Sequence, residues 1–147
     1  MTDETWSALL ALQRATHATL HLLAAELAGL GLSASEMNVL ANLADGRART
    51  IRELGVAAGT RPTTLTSVLD RLERRELLAR GPRPGDRRAV EVRLTAAGRE
   101  AAATIRRAIS GLEERALGGF SEEAVAGLRE GLQALAEGGD HRRRGPG

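Results

Sequence analysis

The chain has 147 residues, and its 42% of hydrophobic residues suffice for the core of one domain or of two merged ones. It has no cysteine, which excludes disulfides, thiolate metal sites and cysteine-based peroxide sensing. The formal net charge is only +2, yet residues 47–107 hold fifteen arginines against seven acids. A near-neutral chain with a basic middle is typical of a protein that meets a polyanion with one face.

Residues 3–30 read as one long helix, which Asp3 caps and which Gly29 and Gly31 end. Sixteen of these 28 positions are apolar, and they cover nearly every face of the helix. A domain this small cannot bury such a helix on all sides by itself. We therefore expect a second subunit to cover it.

The next segments predict the first half of a helix-turn-helix. Ser33 and Glu36 have the spacing of a capping box that opens a helix over 33–43. Arg47 to Thr50 predicts a short strand, and IRELGVAAG (51–59) a positioning helix followed by a turn at Gly59. Arg49 and Arg52 lie where contacts to a nucleic-acid backbone are expected, and plain solvated arginines are the alternative interpretation.

A second helix begins at Thr60 or Arg61 and has Pro62 in its first turn. Leu65, Val68, Leu69 and Leu72 form the apolar stripe of an amphipathic helix. Short hydroxyl side chains on its outer face suit base edges, while the larger arginines suit phosphates. The candidate DNA-binding residues here are Arg61, Thr63, Thr64, Thr66, Ser67, Arg71 and Arg74. An ordinary surface helix is the alternative.

The segment after this helix predicts a β-hairpin. Val90, Val92 and Leu94 alternate with Glu91 and Arg93, which indicates a half-buried strand. Leu77 to Arg80 is its expected partner, and Gly-Pro-Arg-Pro-Gly (81–85) the expected tip. The hairpin places further candidate DNA-binding residues at or near its tip: Arg83, Asp86, Arg87 and Arg88. A hydroxyl-bearing helix followed by an arginine-tipped hairpin is a winged helix-turn-helix.

Two helices follow the hairpin. Thr95 caps the first, whose stripe includes Ile105, Ile109 and Leu112 and which ends at Gly118–Gly119. Ser121 caps the second, which runs to about Glu137. We expect a mostly α fold with a small β-hairpin wing. Residues 1–32 and 96–137 would form a helical dimerisation module, 33–95 the winged helix-turn-helix, and 138–147 a disordered basic tail.

The stretch GDRRAVEVRLTAAG closely resembles the wing signature of the MarR family of bacterial transcription regulators, an Asp-x-Arg followed by Leu-Thr-x-x-Gly. The matching residues are Asp86, Arg88, Leu94, Thr95 and Gly98. The segment 51–77 is also similar to the family's helix-turn-helix, and the order of segments agrees over roughly residues 5–137. The resemblance implies a homodimer on a near-palindromic operator, usually a repressor that a small molecule releases.

The resemblance also implies roles for particular side chains. The Asp86 carboxylate would brace an arginine that enters the minor groove. Arg88 matches the motif and Arg87 would take a phosphate, but the sequence leaves open which of the two inserts. Candidate effector-binding residues are Arg14, His17, His21, Met37 and Asn38. With one Trp, one Phe and no Tyr, the chain favours a small or aliphatic effector over a large aromatic one.

Three alternatives compete with this hypothesis. An enzyme is disfavoured, since the chain has no phosphate-binding glycine loop, nucleophile elbow or His-Glu-x-x-His. A zinc-responsive regulator is the second, because His17 and His21 lie four residues apart and Glu26, Glu36 or His141 could complete a site. A winged-helix scaffold for other proteins is the third. The sequence predicts no cofactor, and without a signal peptide or membrane span it predicts a soluble cytoplasmic protein associated with the nucleoid.

Overall fold

The computed structural model describes residues 7–138. Six α-helices and three short strands make up this part of the chain. The helices are α1 (Ala8–Glu26), α2 (Ala34–Asn42), α3 (Ile51–Ala58), α4 (Pro62–Arg74), α5 (Ala96–Leu117) and α6 (Glu122–Glu137). The strands are β1 (Arg49–Thr50), β2 (Leu78–Arg83) and β3 (Asp86–Leu94). They form one antiparallel sheet in the order β1-β3-β2. The predicted fold, mostly α with a hairpin wing, is confirmed.

Several predictions fall on residues outside the described range. They are the helix cap at Asp3, the disordered basic tail from residue 139 onward, and the candidate ligand His141. Among residues 7–138 no helix is both long and apolar enough to cross a membrane.

Leu20–Ser110 forms one compact unit, here called the winged unit. Its core contains the predicted α4 stripe, in which all four side chains are at most 1% exposed. Other elements of the winged unit complete the same core: Leu40 of α2, Leu54 of α3, Leu78 of β2, Val92 of β3 and Ile105 of α5. The 3.6-residue period of α4 therefore gives this helix one buried face and one free face.

Helix caps occur where the sequence predicts them. Ser33 and Glu36 form a reciprocal capping box, with both side chain to backbone distances 3.2 Å. Thr95 Oγ1 accepts the backbone N–H of Gly98 and donates to the carbonyl of Glu76. Ser121 Oγ accepts from the N–H of Ala124 and starts α6. Polar side chains thus satisfy backbone groups that a helix end leaves free.

Residues 7–19 and 111–138 form the described part of a second compact unit, here called the terminal unit. Neither Ala8–Glu26 nor Glu122–Glu137 has a buried residue in the single chain. The first helix is also shorter than predicted. It ends at Glu26, and a 3₁₀ turn over Ala28–Leu30 leads to Gly31, whose φ of 63° is left-handed. The predicted division into domains at 33–95 stays a prediction.

Candidate nucleic-acid interface

The turn between α3 and α4 has the form that the sequence predicts. Gly59 adopts a φ of 65°, and its N–H bonds to the carbonyl of Val56. Thr60 N–H closes the turn on the carbonyl of Gly55 at 3.0 Å, and Asn38 Nδ2 donates to the carbonyl of Ala58 at 2.8 Å. Pro62 then occupies the first turn of α4, after Arg61 at the N-cap. Hydrogen bonds within the turn and from Asn38 of α2 therefore fix the segment that leads into α4.

The outer face of α4 carries the predicted hydroxyl side chains, all of them exposed: Thr63, Thr64, Thr66 and Ser67. Thr66 Oγ1 donates to the carbonyl of Pro62, one turn earlier. Arg71 Nη1 donates to Ser67 Oγ at 3.3 Å, and Arg71 Nε lies 3.9 Å from the carboxylate of Glu36. Thr63 and Thr64 make no side-chain hydrogen bond within residues 7–138, so their hydroxyls remain free to bind a ligand.

The wing differs from the expected hairpin. Its tip is the two-residue turn Pro84–Gly85, and Gly81 and Pro82 lie inside β2. Pro82 pairs with Val90, but the next residue, Arg83, pairs with Asp86. Residues 87–89 therefore bulge from β3 without partners on β2. A bulge bends a strand and redirects its side chains. Arg87 and Arg88 lie in this bulge and not at the tip.

Asp86 has a different contact from the one that the family resemblance implies. Its Oδ1 accepts the backbone N–H of Arg88 at 3.1 Å, and no contact between this carboxylate and a guanidinium occurs in the described residues. The carboxylate thus replaces a ladder partner that the bulge has removed. Asp86 fixes the backbone of the bulge and leaves the Arg88 guanidinium free.

One group of arginines is paired with acids inside the winged unit. Arg80 binds Glu73 at 2.6 Å and Asp70 at 2.7 Å, and these hydrogen bonds, that to Glu73 most of all, raise the pKa of Arg80. Arg83 binds Glu53 at 2.7 Å, and this hydrogen bond lowers the pKa of Glu53. Arg49 binds Asp45 at 3.0 Å, and Arg93 binds Glu91. The pKa of Asp45 is lowered mainly by a hydrogen bond from the backbone N–H of Arg47, with Arg49 adding to the effect.

A second group, here called the open arginines, consists of Arg52, Arg61, Arg87 and Arg88. Each is exposed, and none has a side-chain hydrogen bond or ion pair within residues 7–138. Arg74 is similar, since its guanidinium only donates to the carbonyl of Asp70 on its own helix. Of the arginines predicted to bind DNA, Arg49 and Arg83 form hydrogen-bonded ion pairs with acids of this chain, and Arg71 lies 3.9 Å from Glu36.

The alternation predicted for β3 is wrong at two positions. Glu91 is only 5% exposed and Val90 is 43% exposed, the reverse of the expected pattern. Glu91 is tolerated inside because Arg93 donates to it and Arg83 Nε lies 3.8 Å away. The alternation of the sequence could not predict the burial of Glu91, because the arginines that pair with it lie on β2 as well as on β3. The sequence also did not predict the contacts of Arg75, which donates to the carbonyls of Leu30 and Gly31 at 3.0 and 2.9 Å.

The assignment of Arg14, His17, His21, Met37 and Asn38 to an effector site stays a prediction. Met37 belongs to the core, Asn38 holds the α3 end, and His17 and His21 are exposed on α1. Within the winged unit a half-open cleft of about 420 Å³ is lined by other residues: Ala41, Asn42, Ala44, Asp45, Arg49, Ala103, Arg106 and Arg107. No group of three or more potential metal ligands occurs among residues 7–138.

Comparisons with known proteins agree with this geometry. Residues 30–89, which contain α2 to α4 and most of the wing, match the sequence profile of the MarR family. Over these residues the chain is similar to the MarR family. The predicted resemblance to this family of transcription regulators is confirmed, and the relatives support a regulator in preference to an enzyme. A comparison with curated protein sequences finds no significant match.

Solved MarR-family structures extend the similarity beyond the matched segment. A MarR-family transcriptional regulator from Silicibacter pomeroyi is 25% identical with a TM-score of 0.76, covering 89% of this chain and 88% of that one. CouR from Rhodococcus jostii RHA1, bound to p-coumaroyl-CoA, is 24% identical with a TM-score of 0.78 and coverages of 86% and 89%. NadR in complex with 4-hydroxyphenylacetate is 22% identical with a TM-score of 0.80 and coverages of 93% and 97%. The last two show likeness of fold.

Proposed function

We propose that this protein is a MarR-family, homodimeric DNA-binding repressor of a near-palindromic operator. In this proposal α4 enters the major groove with Thr63, Thr64 and Ser67 toward the bases, and the β3 bulge brings Arg88 to the minor groove. The observation that carries the proposal is the division of the arginines. Glu53, Asp70, Glu73 and Glu91 are paired with arginines inside the winged unit, whereas Arg52, Arg61, Arg87 and Arg88 keep guanidinium groups without a partner in the described residues.

The division of the arginines matters because protein–DNA affinity depends strongly on how many phosphates the protein neutralises. Each arginine that replaces a counterion contributes to affinity and to its salt dependence. An acid without a partner next to the contact surface would oppose that contribution. Since Glu53, Asp70 and Glu73 are paired with arginines, their repulsion of phosphates is reduced. These acids then reduce the positive electrostatic potential of the open arginines less.

Dimerisation is inferred from the terminal unit. Large apolar side chains that would cost free energy in water are exposed there in the single chain: Leu9, Leu10, Phe120, Leu128 and Leu135. A second copy of the chain would cover them. Light scattering at micromolar concentration should then report about twice 15.6 kDa, and DNA selected by the dimer should show half-sites about 10 base pairs apart.

Operator binding is tested by selecting DNA from a random pool and measuring affinity for the selected sequence at several salt concentrations. Arg88→Ala should weaken binding by about 1–3 kcal/mol with a shallower salt dependence. Arg129→Ala, an exposed arginine on α6, is the matched control and should bind as the wild type does. Selected DNA without an inverted repeat, or equal losses in both variants, would contradict the proposal. A complete lack of DNA binding would favour the scaffold alternative.

We further propose that a small organic anion releases the operator. CouR and NadR are crystallised with p-coumaroyl-CoA and 4-hydroxyphenylacetate, both anionic. Three alanines line the 420 Å³ cleft together with Arg106 and Arg107. If 4-hydroxyphenylacetate is bound there, it should raise the melting temperature of the wild type but not of the Arg106→Gln, Arg107→Gln double variant. The zinc alternative requires an effect of chelator on wild-type DNA affinity that His17→Ala with His21→Ala abolishes.

A further inference from the structure

Arg83 lies at the last position of β2, directly before the turn and across from the β3 bulge. Its neighbours on the hairpin, Arg87 and Arg88, extend into solvent without partners in the described chain. The three arginines lie close in sequence around one turn, but only Arg83 has a side-chain partner in the described residues. The sequence predicted all three as DNA-binding residues at or near the tip of the hairpin.

The Arg83 guanidinium spans from the wing to the helix-turn-helix. Its Nη1 donates to Glu53 Oε1 at 2.7 Å, across 30 residues of sequence, and its Nε lies 3.8 Å from Oε2 of the buried Glu91. Glu53 belongs to the first turn of α3, where its N–H bonds to the capping hydroxyl of Thr50. Both ends of the contact therefore lie on ordered elements.

The pairing of β2 with β3 is interrupted at the far end of the wing. The register of the β2–β3 ladder breaks after Pro82, so residues 87–89 have no partners on β2. The nearest comparable bridge on β2, from Arg80 to Asp70 and Glu73, joins the base of the wing to α4. The Arg83–Glu53 bridge is farther out along β2, next to the bulge that carries the open arginines.

We propose that Arg83 is a positioning residue that anchors the wing to α3 through Glu53 and so sets where the Arg87–Arg88 bulge meets DNA. This inference rests on the proposed DNA-binding function for its effect on affinity. Drawing Arg83 away to a phosphate would break its ion pair with Glu53. The bridge is exposed and adds little to global stability, so its effect is on orientation.

The direction in which one substitution changes DNA affinity distinguishes a positioning role of Arg83 from a direct contact of Arg83 with DNA. Glu53→Gln removes a negative charge from the winged unit, so simple electrostatics predicts tighter DNA binding. An anchor predicts the opposite, a loss of about threefold to tenfold, because the wing is released. Glu100→Gln is the control, since Glu100 is an exposed glutamate on α5 whose side chain has no partner in the described residues. It should leave affinity unchanged or slightly raise it.

A second measurement does not depend on DNA. In the free protein, hydrogen exchange of the wing amides (residues 83 and 85–91) should be faster in Glu53→Gln and Arg83→Ala than in the wild type, with α2 and α5 unchanged. The charge swap Glu53→Arg with Arg83→Glu should restore both the exchange rates and most of the affinity. A phosphate-binding arginine could not be restored by placing a glutamate at position 83.

The inference is overturned if Glu53→Gln tightens binding, or if wing exchange is the same in every variant. If the wild type binds no DNA, the exchange rates still decide whether Arg83 anchors the wing, and the proposed function fails separately. Faster exchange that the charge swap reverses supports the anchor in either case.

Discussion

Helices α4 and α1 show two different outcomes for apolar sequence. Helix α4 has fewer apolar residues, yet Leu65, Val68, Leu69 and Leu72 are all buried. Helix α1 is rich in leucine and alanine, yet no residue of it is buried in the single chain. The difference lies in arrangement. A stripe with a 3.6-residue period can be covered by one core, whereas a helix that is apolar on several faces needs more surface than this chain gives it.

The comparison shows that burial within the chain depends on pattern more than on content. The winged unit contains the core described above, to which α2, α3, α4, the sheet and the first part of α5 contribute buried side chains. The terminal helices keep leucines at their surface. Substitutions in the first set should therefore change the stability of the fold, and substitutions in the second should change association.

The largest expected effect tests this difference directly. Leu69→Ala should lower the free energy of unfolding by about 2–5 kcal/mol, because Leu69 is fully buried and a cavity would remain. Leu10→Ala, at a residue that is 63% exposed, should cost under about 0.5 kcal/mol in the isolated subunit. Denaturation at several protein concentrations measures both. A concentration-dependent loss for Leu10→Ala would place Leu10 in the dimer interface, and equal losses at all concentrations would refute the comparison.

Glycine positions offer the second test. A Cβ at Gly98 would lie 1.7 Å from the carbonyl oxygen of Leu77, so Gly98→Ala should destabilise the protein by about 1–3 kcal/mol or more. A Cβ at Gly127 of α6 would meet nothing within 4 Å, so Gly127→Ala should stabilise by up to about 1 kcal/mol. Thermal melting compares the two variants. The comparison fails if both alanines are tolerated equally.

A smaller effect is expected at Asp86, where the contact is to backbone. Asp86→Ala should weaken operator binding by about 0.5–1.5 kcal/mol, because the N–H of Arg88 loses its acceptor. Asp86→Asn keeps an oxygen acceptor and removes the charge, so it should bind as well as the wild type or better. If Asp86→Ala binds more tightly at every salt concentration, the carboxylate acts only as a repelling charge.

The smallest effect concerns pH. The Arg83 hydrogen bond lowers the pKa of Glu53 in the folded protein below its unfolded value, so the bridge contributes fully above the unfolded pKa. That contribution is lost as pH falls through the lowered folded pKa. The difference in wing exchange between the wild type and Glu53→Gln should therefore be present at neutral pH and disappear in acid. A difference that persists below that range would show that Glu53 acts in another way.

Local patterns in the sequence predicted most elements of the fold. The α4 stripe, the Ser33–Glu36 capping box, the Gly59 turn and the cap at Ser121 depend on residues a few positions apart, so the sequence determines them. The hydroxyl face of α4 and the arginine-rich hairpin could be recognised for the same reason. The family match rests on this local order of segments.

The pairing of charges was decided only by the tertiary structure. Arg83 and Arg88 look alike in the sequence, but Arg83 binds Glu53, 30 residues away, while Arg88 remains open. Likewise Glu91 reads as a surface residue and is buried, because Arg83 and Arg93 come together around it. An ion pair depends on which groups the folded chain brings within a few ångströms, and neither periodicity nor composition carries that information.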